Sequence, residues 1–188
     1  MLGFTGKILH VDLSAGQVAI EQPHEDFYRI YWGGSAMGTY YLLVNTPPGA
    51  DPLGPENTLS FMLSAATGVA ISGQSRCTAT AKSPMSGLIG DSQAGGFWPA
   101  ELKFAGFDGI VMTGRSPQPV YLWVHDGKAE LRDAAYLWGK ITGDAEAAIK
   151  EELGDPKIEV TQVGPAGERL SRLACIINMS NRAHDWTC

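Results

Sequence analysis

An arginine set among glycines and small hydroxyl residues can seat a bulky anion, and residues 71–114, ISGQSRCTATAKSPMSGLIGDSQAGGFWPAELKFAGFDGIVMTG, hold that combination. Arg76 heads an alternating run, RCTATAK, and the Gly95-Gly96 pair closes the next one. Glycine lacks a Cβ, so its N–H and C=O can approach a group that other residues would hold away. A guanidinium forms paired, charge-assisted hydrogen bonds with phosphate oxygens. Taken singly, each glycine is also accounted for by turn chemistry, and Arg76 or Arg182 by ordinary surface charge. The concentration of these residue types is what points to an anion seat. Met112 and the aromatic residues Phe97, Trp98, Phe104 and Phe107 read as core.

Other chemistries are poorly represented. Cys77, Cys175 and Cys188 are widely spaced and form no C-x-x-C pair, which leaves neither a disulfide framework nor a cluster motif. Cys77 and Cys175 read as buried thiols and Cys188 as an exposed one. A net charge of −6 without clustered Lys or Arg argues against sequence-independent nucleic-acid binding. The N-terminus lacks the basic-then-apolar pattern of a signal peptide, and no apolar run reaches the roughly 20 residues of a membrane span. A cytoplasmic location is expected.

The elements that must position these residues are mostly strands. Lys7 to Asp12 and Gln17 to Glu21 alternate around Ser14-Ala15-Gly16 as an opening hairpin. Residues 25–44 read as two short helices broken by the glycine turn 33–38, which lacks the order of a dinucleotide fingerprint. Leu59 to Leu63, Arg76 to Lys82 and Leu88 onward are strand candidates, followed by a short helix after Phe97 that tolerates Pro99 and ends at Gly106. Asp108 to Thr113 and Val120 to Val124 continue as strands, and Asp126-Gly127 marks a tight hairpin. Asp144 to Leu153 is a helix expected to be capped by Thr142 and stopped by Gly154. Lys157 to Val163 and Leu173 to Met179 complete the set. With hairpins outnumbering crossovers, the expected class is α+β, two mainly antiparallel β-sheets with a few short helices.

The motifs VDLSAG, DPLGPEN, KSPMSG, DSQAGGFWPAELKFAGFDGIVMTG, PVYLWVHDGKAELRDAAYLWGK and VGPAGE, in that order, resemble the N-terminal domain of the tungsten-containing aldehyde:ferredoxin oxidoreductases. The resemblance covers nearly the whole chain. It implies a base on which a tungsten (or molybdenum) bis-pterin lies, its metal held by pterin dithiolenes and its phosphates bridged by Mg²⁺. Arg76, Gly95 and Arg182 then fall on cofactor contacts. Gln93 and Ala183 fall on positions whose main-chain carbonyls meet the magnesium, and a backbone ligand tolerates the change of side chain at Gln93. The resemblance further implies a [4Fe-4S] cluster whose ligands lie outside this chain, ferredoxin as electron acceptor, an aldehyde substrate, and homodimers as in relatives.

The chain departs from the family in two places. Ala36 stands where relatives often carry arginine. After Ala183 a glycine-rich basic loop gives way to HDWTC, as in a truncated reading frame. The expected organisation is therefore a cofactor-seating domain over 1–183 and a non-family tail over 184–188, in which His184 and Asp185 disfavour phosphate. Two rival functions follow: a tungsten subunit of an aromatic-thioester (benzoyl-CoA type) reductase, and an inactive truncated remnant.

Overall fold

The computed structural model describes residues 3–179 and 182–184. The expectations for Asp185 and Cys188 lie outside these residues. β1 (Ile8–Asp12) and β2 (Gln17–Glu21) pair antiparallel, and the Asp12 carboxylate accepts the N–H groups of Ser14 and Ala15 at 2.9 Å to hold the turn. Helix α1 (Glu25–Tyr31) ends at Trp32, in the left-handed region at φ 56°. Helix α2 (Gly34–Asn45) follows at once.

The break between these helices is thus Trp32-Gly33, whereas Gly34 to Gly38 lie inside α2, contrary to the expected six-residue turn. The reason is packing. A Cβ at Gly38 would run into the Thr80 side chain and lie 3.2 Å from Ser60 Oγ, so this glycine lets the helix rest directly on the sheet.

That sheet has six strands in the order β2-β1-β6-β3-β4-β5, adding β3 (Leu59–Met62), β4 (Cys77–Lys82), β5 (Ile89–Ala94) and β6 (Gly109–Thr113). Its pairings are antiparallel except for β1 with β6, which is parallel. Strand alternation divides the apolar residues between two layers. Ile8, Met62 and Val111 face Tyr28, Met37 and Tyr41 of α1 and α2. Leu9, Phe61, Cys77 and Ile110 face the other way, onto Leu102 of α3 (Trp98–Phe104) and onto the hairpin of β7 (Val120–His125) and β8 (Lys128–Asp133).

The remaining strands form a small third sheet, β11-β10-β9, from β9 (Thr161–Gln162), β10 (Ile176–Asn178) and β11 (Arg182–His184). The α+β class holds. The strands beyond the main sheet divide into this sheet and the separate β7-β8 ribbon. Helix α4 (Thr142–Leu153) begins at the residue expected to cap it: Ile141 takes the cap position and Thr142 is the first helical residue. The short helix α5 (Pro165–Glu168) lies between β9 and β10. Among the described residues no helix is long and apolar enough to cross a membrane.

Asp108 staples the layers together. Its carboxylate, fully buried, accepts from Thr5 N–H at 3.0 Å, Gly6 N–H at 2.7 Å, the Tyr28 hydroxyl at 3.1 Å and Lys103 Nζ at 2.7 Å. A buried carboxylate without such partners would be costly, and here its oxygens are met by four donors. Burial first, then the nearby Asp108 charge, raises the Tyr28 phenol well above its ordinary range.

Candidate cofactor site

The β4-β5 register determines what surrounds the glycine pair. Cys77 opposes Ala94 and Thr78 opposes Gln93, so one step further Arg76 lies across from Gly95. The nearest atom to a Cβ placed on Gly95 is Ser75 O at 3.5 Å, an ordinary contact, which leaves bare backbone with room above it. Along β5, Gly90, Ser92 and Ala94 are buried while Ile89, Asp91 and Gln93 are exposed, the alternation of a strand with one covered face. The Gln93 side chain therefore points outward.

Gly96 is the opposite case. Its φ is 112°, and a Cβ there would lie 2.6 Å from Asn178 Oδ1, 2.7 Å from Met179 Sδ and 3.5 Å from Arg182 Cγ. The next residue, Phe97, donates its N–H to Met179 Sδ at 3.0 Å. The absence of a side chain at Gly96 thus lets the β10-β11 hairpin dock on the end of β5. Within that hairpin Asn178 opposes Arg182 and Ile177 opposes Ala183. His184, fully buried, sets its ring edge-on to Phe61 at 5.8 Å between centroids. Burial lowers its pKa, opposed by a hydrogen bond with the Ser92 backbone.

Two segments about a hundred residues apart in sequence are consequently neighbours. Arg182 lies against Gly96, Arg76 stands across from Gly95 by register, Ala183 follows Arg182 on β11, and Gln93 precedes the glycine pair on β5. Both arginines are exposed, and among the described residues neither forms an ion pair with a carboxylate. A bare backbone with two uncommitted guanidiniums fits a phosphate-bearing group. Among the described residues no group of three or more His, Cys, Asp or Glu could hold a metal ion, so a metal at this shelf would draw on main-chain oxygens such as those of Gln93 and Ala183, and on the ligand itself. A groove of about 520 Å³ on α1 and α2 is lined by Tyr31, Ala36, Tyr40 and Leu43; it carries no charged side chain and belongs to the helical side of the sheet.

Three expectations change. Cys77 is buried as expected, with burial raising its thiol pKa, but Cys175 is exposed because it precedes the short β10 rather than lying inside a longer strand. Phe97 and Phe104 are exposed, not core, while Phe107 is buried. Asn178 and Met179 escaped the sequence reading as neighbours of the glycine pair. The available signal was a lone amide in the apolar run CIINM.

Over residues 8–187 the sequence matches the family model described as "Aldehyde ferredoxin oxidoreductase, N-terminal domain". It is 43% identical over 183 residues to the tungsten-containing aldehyde ferredoxin oxidoreductase of Thermococcus kodakarensis, and 41% identical over the same length to that of Pyrococcus abyssi. Each alignment covers 97% of this chain and 30% of the relative, so the chain spans about a third of the length of these proteins. Among solved structures it superposes on the active site complex BamBC of benzoyl coenzyme A reductase, in complex with 1,5 dienoyl-CoA, with a TM-score of 0.95 and 34% identity. That superposition covers 99% of this chain and 28% of the other.

Proposed function

Because the chain belongs to the aldehyde ferredoxin oxidoreductase N-terminal domain family, we propose that it is the cofactor-seating part of a cytoplasmic tungsten-pterin enzyme that oxidises an aldehyde to a carboxylic acid. In balance, aldehyde and water give acid, two protons and two electrons, the electrons leaving through a [4Fe-4S] cluster to ferredoxin. When bound, the metal-pterin group supplies this two-electron chemistry, and the protein supplies position and electrostatics. Arg76 and Arg182 would neutralise its phosphates, Gly95 would leave the backbone bare for close approach, and the main-chain carbonyls of Gln93 and Ala183 would serve as ligands to a magnesium ion. The cofactor-seating domain comprises residues 1–183.

One observation carries the reading: β11 brings Arg182 against Gly96, while the β4-β5 register, extended one step, sets Arg76 across from Gly95. Similarity to relatives named tungsten-containing aldehyde ferredoxin oxidoreductases supports the choice of metal and of an aldehyde substrate. A second reading, reduction of an aromatic thioester, is favoured by the close superposition on the benzoyl coenzyme A reductase complex.

The test is to purify the polypeptide carrying this domain from cells supplied with tungstate and molybdate. Metal content is then measured, together with dye reduction driven by aldehydes and dye oxidation driven by an aromatic thioester. Tungsten with aldehyde-dependent reduction supports the first reading, and thioester turnover alone supports the second. Metal-free protein despite the supply contradicts both.

A further inference from the structure

Asn178 is 1% exposed, and among the described residues neither its Oδ1 nor its Nδ2 has a hydrogen-bond partner. A buried carboxamide can make several hydrogen bonds, and leaving it without any is costly; such an orphan in a folded protein calls for a water, an ion or a ligand to complete it. Leucine has nearly the same size and would carry no such cost. The orphan is also specifically placed: Oδ1 lies 2.6 Å from where a Gly96 Cβ would be, directly behind the shelf and beside Arg182.

Resting on the cofactor-seating reading above, we propose that Asn178 is a binding residue of this site. Its carboxamide holds one ordered water when the cofactor is bound, and that water donates to a phosphate of the pterin cofactor. The chemistry suits a neutral amide. Its N–H groups donate to the water and its carbonyl accepts from it, while no charge is set against the phosphate. Magnesium keeps several waters in its shell, and those waters need acceptors of the same kind. Arg182, opposite Asn178 in the hairpin, supplies the charge, and the amide supplies the buried end of the network.

The experiment compares the protein purified from tungstate-supplied cells with its Asn178→Leu and Asn178→Asp variants. Tungsten and phosphorus per chain and the melting midpoint of the cofactor-free form are measured. For Asn178→Leu the expected result is a raised cofactor-free midpoint with cofactor retention weakened on the order of tenfold, as for loss of one water-mediated hydrogen bond. Asn178→Asp keeps the shape and sets a carboxylate toward phosphate, so it loses more. Wild-type tungsten and phosphorus in both variants would overturn the inference and leave the cofactor-seating reading standing. A wild-type protein free of tungsten and phosphorus would overturn both.

Discussion

Arg182 lies against Gly96 from β11 and Arg76 immediately precedes β4, one register step across from Gly95; under the proposed function both neutralise phosphate. Each charge-assisted contact contributes about 1.5–3 kcal/mol. Arg76→Ala or Arg182→Ala should therefore weaken cofactor retention roughly 10- to 100-fold, read as metal per chain after dialysis, with little change in the cofactor-free melting midpoint. Asp108 has a different role. Removing it leaves Lys103 and the donors of Thr5, Gly6 and Tyr28 facing a void, and Asp108→Ala should cost about 3–5 kcal/mol in denaturant unfolding. Tyr28 and Tyr41 both have phenol pKa values raised, chiefly by burial. Their unfolded counterparts lose protons near pH 10, so above that pH the unfolded chain binds fewer protons and stability falls as pH rises. Denaturation midpoints measured from pH 8 to 11 should decline beyond about pH 10, and Tyr28→Phe should flatten the decline. A thiol reagent should modify Cys175 in the native protein and spare Cys77 until unfolding.

At the scale of elements, the site depends on the β10-β11 hairpin lying against the end of β5. Gly96→Ala, with φ at 112° and a Cβ driven into Asn178 and Met179, should displace that hairpin. Faster proteolysis near residues 176–184 and loss of cofactor would report it; unchanged proteolysis would contradict the docking. Much of this architecture was legible in the sequence because local chemistry dictates it. Asp126-Gly127 turned a hairpin whose strands pair from Val120–Asp133 to His125–Lys128, and the alternation of RCTATAK marked β4, with the strand expected from Leu88 onward found as β5. Where contacts span long separations the sequence was mute. Gly38 looked like a turn residue until Thr80 and Ser60 lay beneath it. The apolar run around Asn178 looked like a plain strand, because its amide gains meaning only from Gly96, some eighty residues earlier. The parallel pairing of β1 with β6 likewise joins opposite ends of the main sheet's chain path. Arg76, Gly95 and Arg182 were identified through family motifs, and their adjacency required coordinates.

For the whole molecule, a net charge of −6 disfavours indiscriminate binding of polyanions, and under the proposed function two local arginines supply the positive charge. Large apolar side chains remain on the surface, including Trp32 at 73%, Leu88 at 71% and Leu173 at 78% exposure. In a chain that spans about a third of its relatives' length, such surface fits burial against further polypeptide. The 188-residue chain alone should bind a hydrophobic dye more strongly than the polypeptide carrying the rest of the enzyme; equal, low binding by both would contradict this. The most direct test is a diffraction structure of the tungsten-loaded protein with the metal located by anomalous scattering. The account predicts phosphate oxygens within about 2.7–2.9 Å of both the Arg76 and Arg182 guanidiniums, above bare Gly95. A cofactor seated elsewhere, with those arginines turned to solvent, would contradict it.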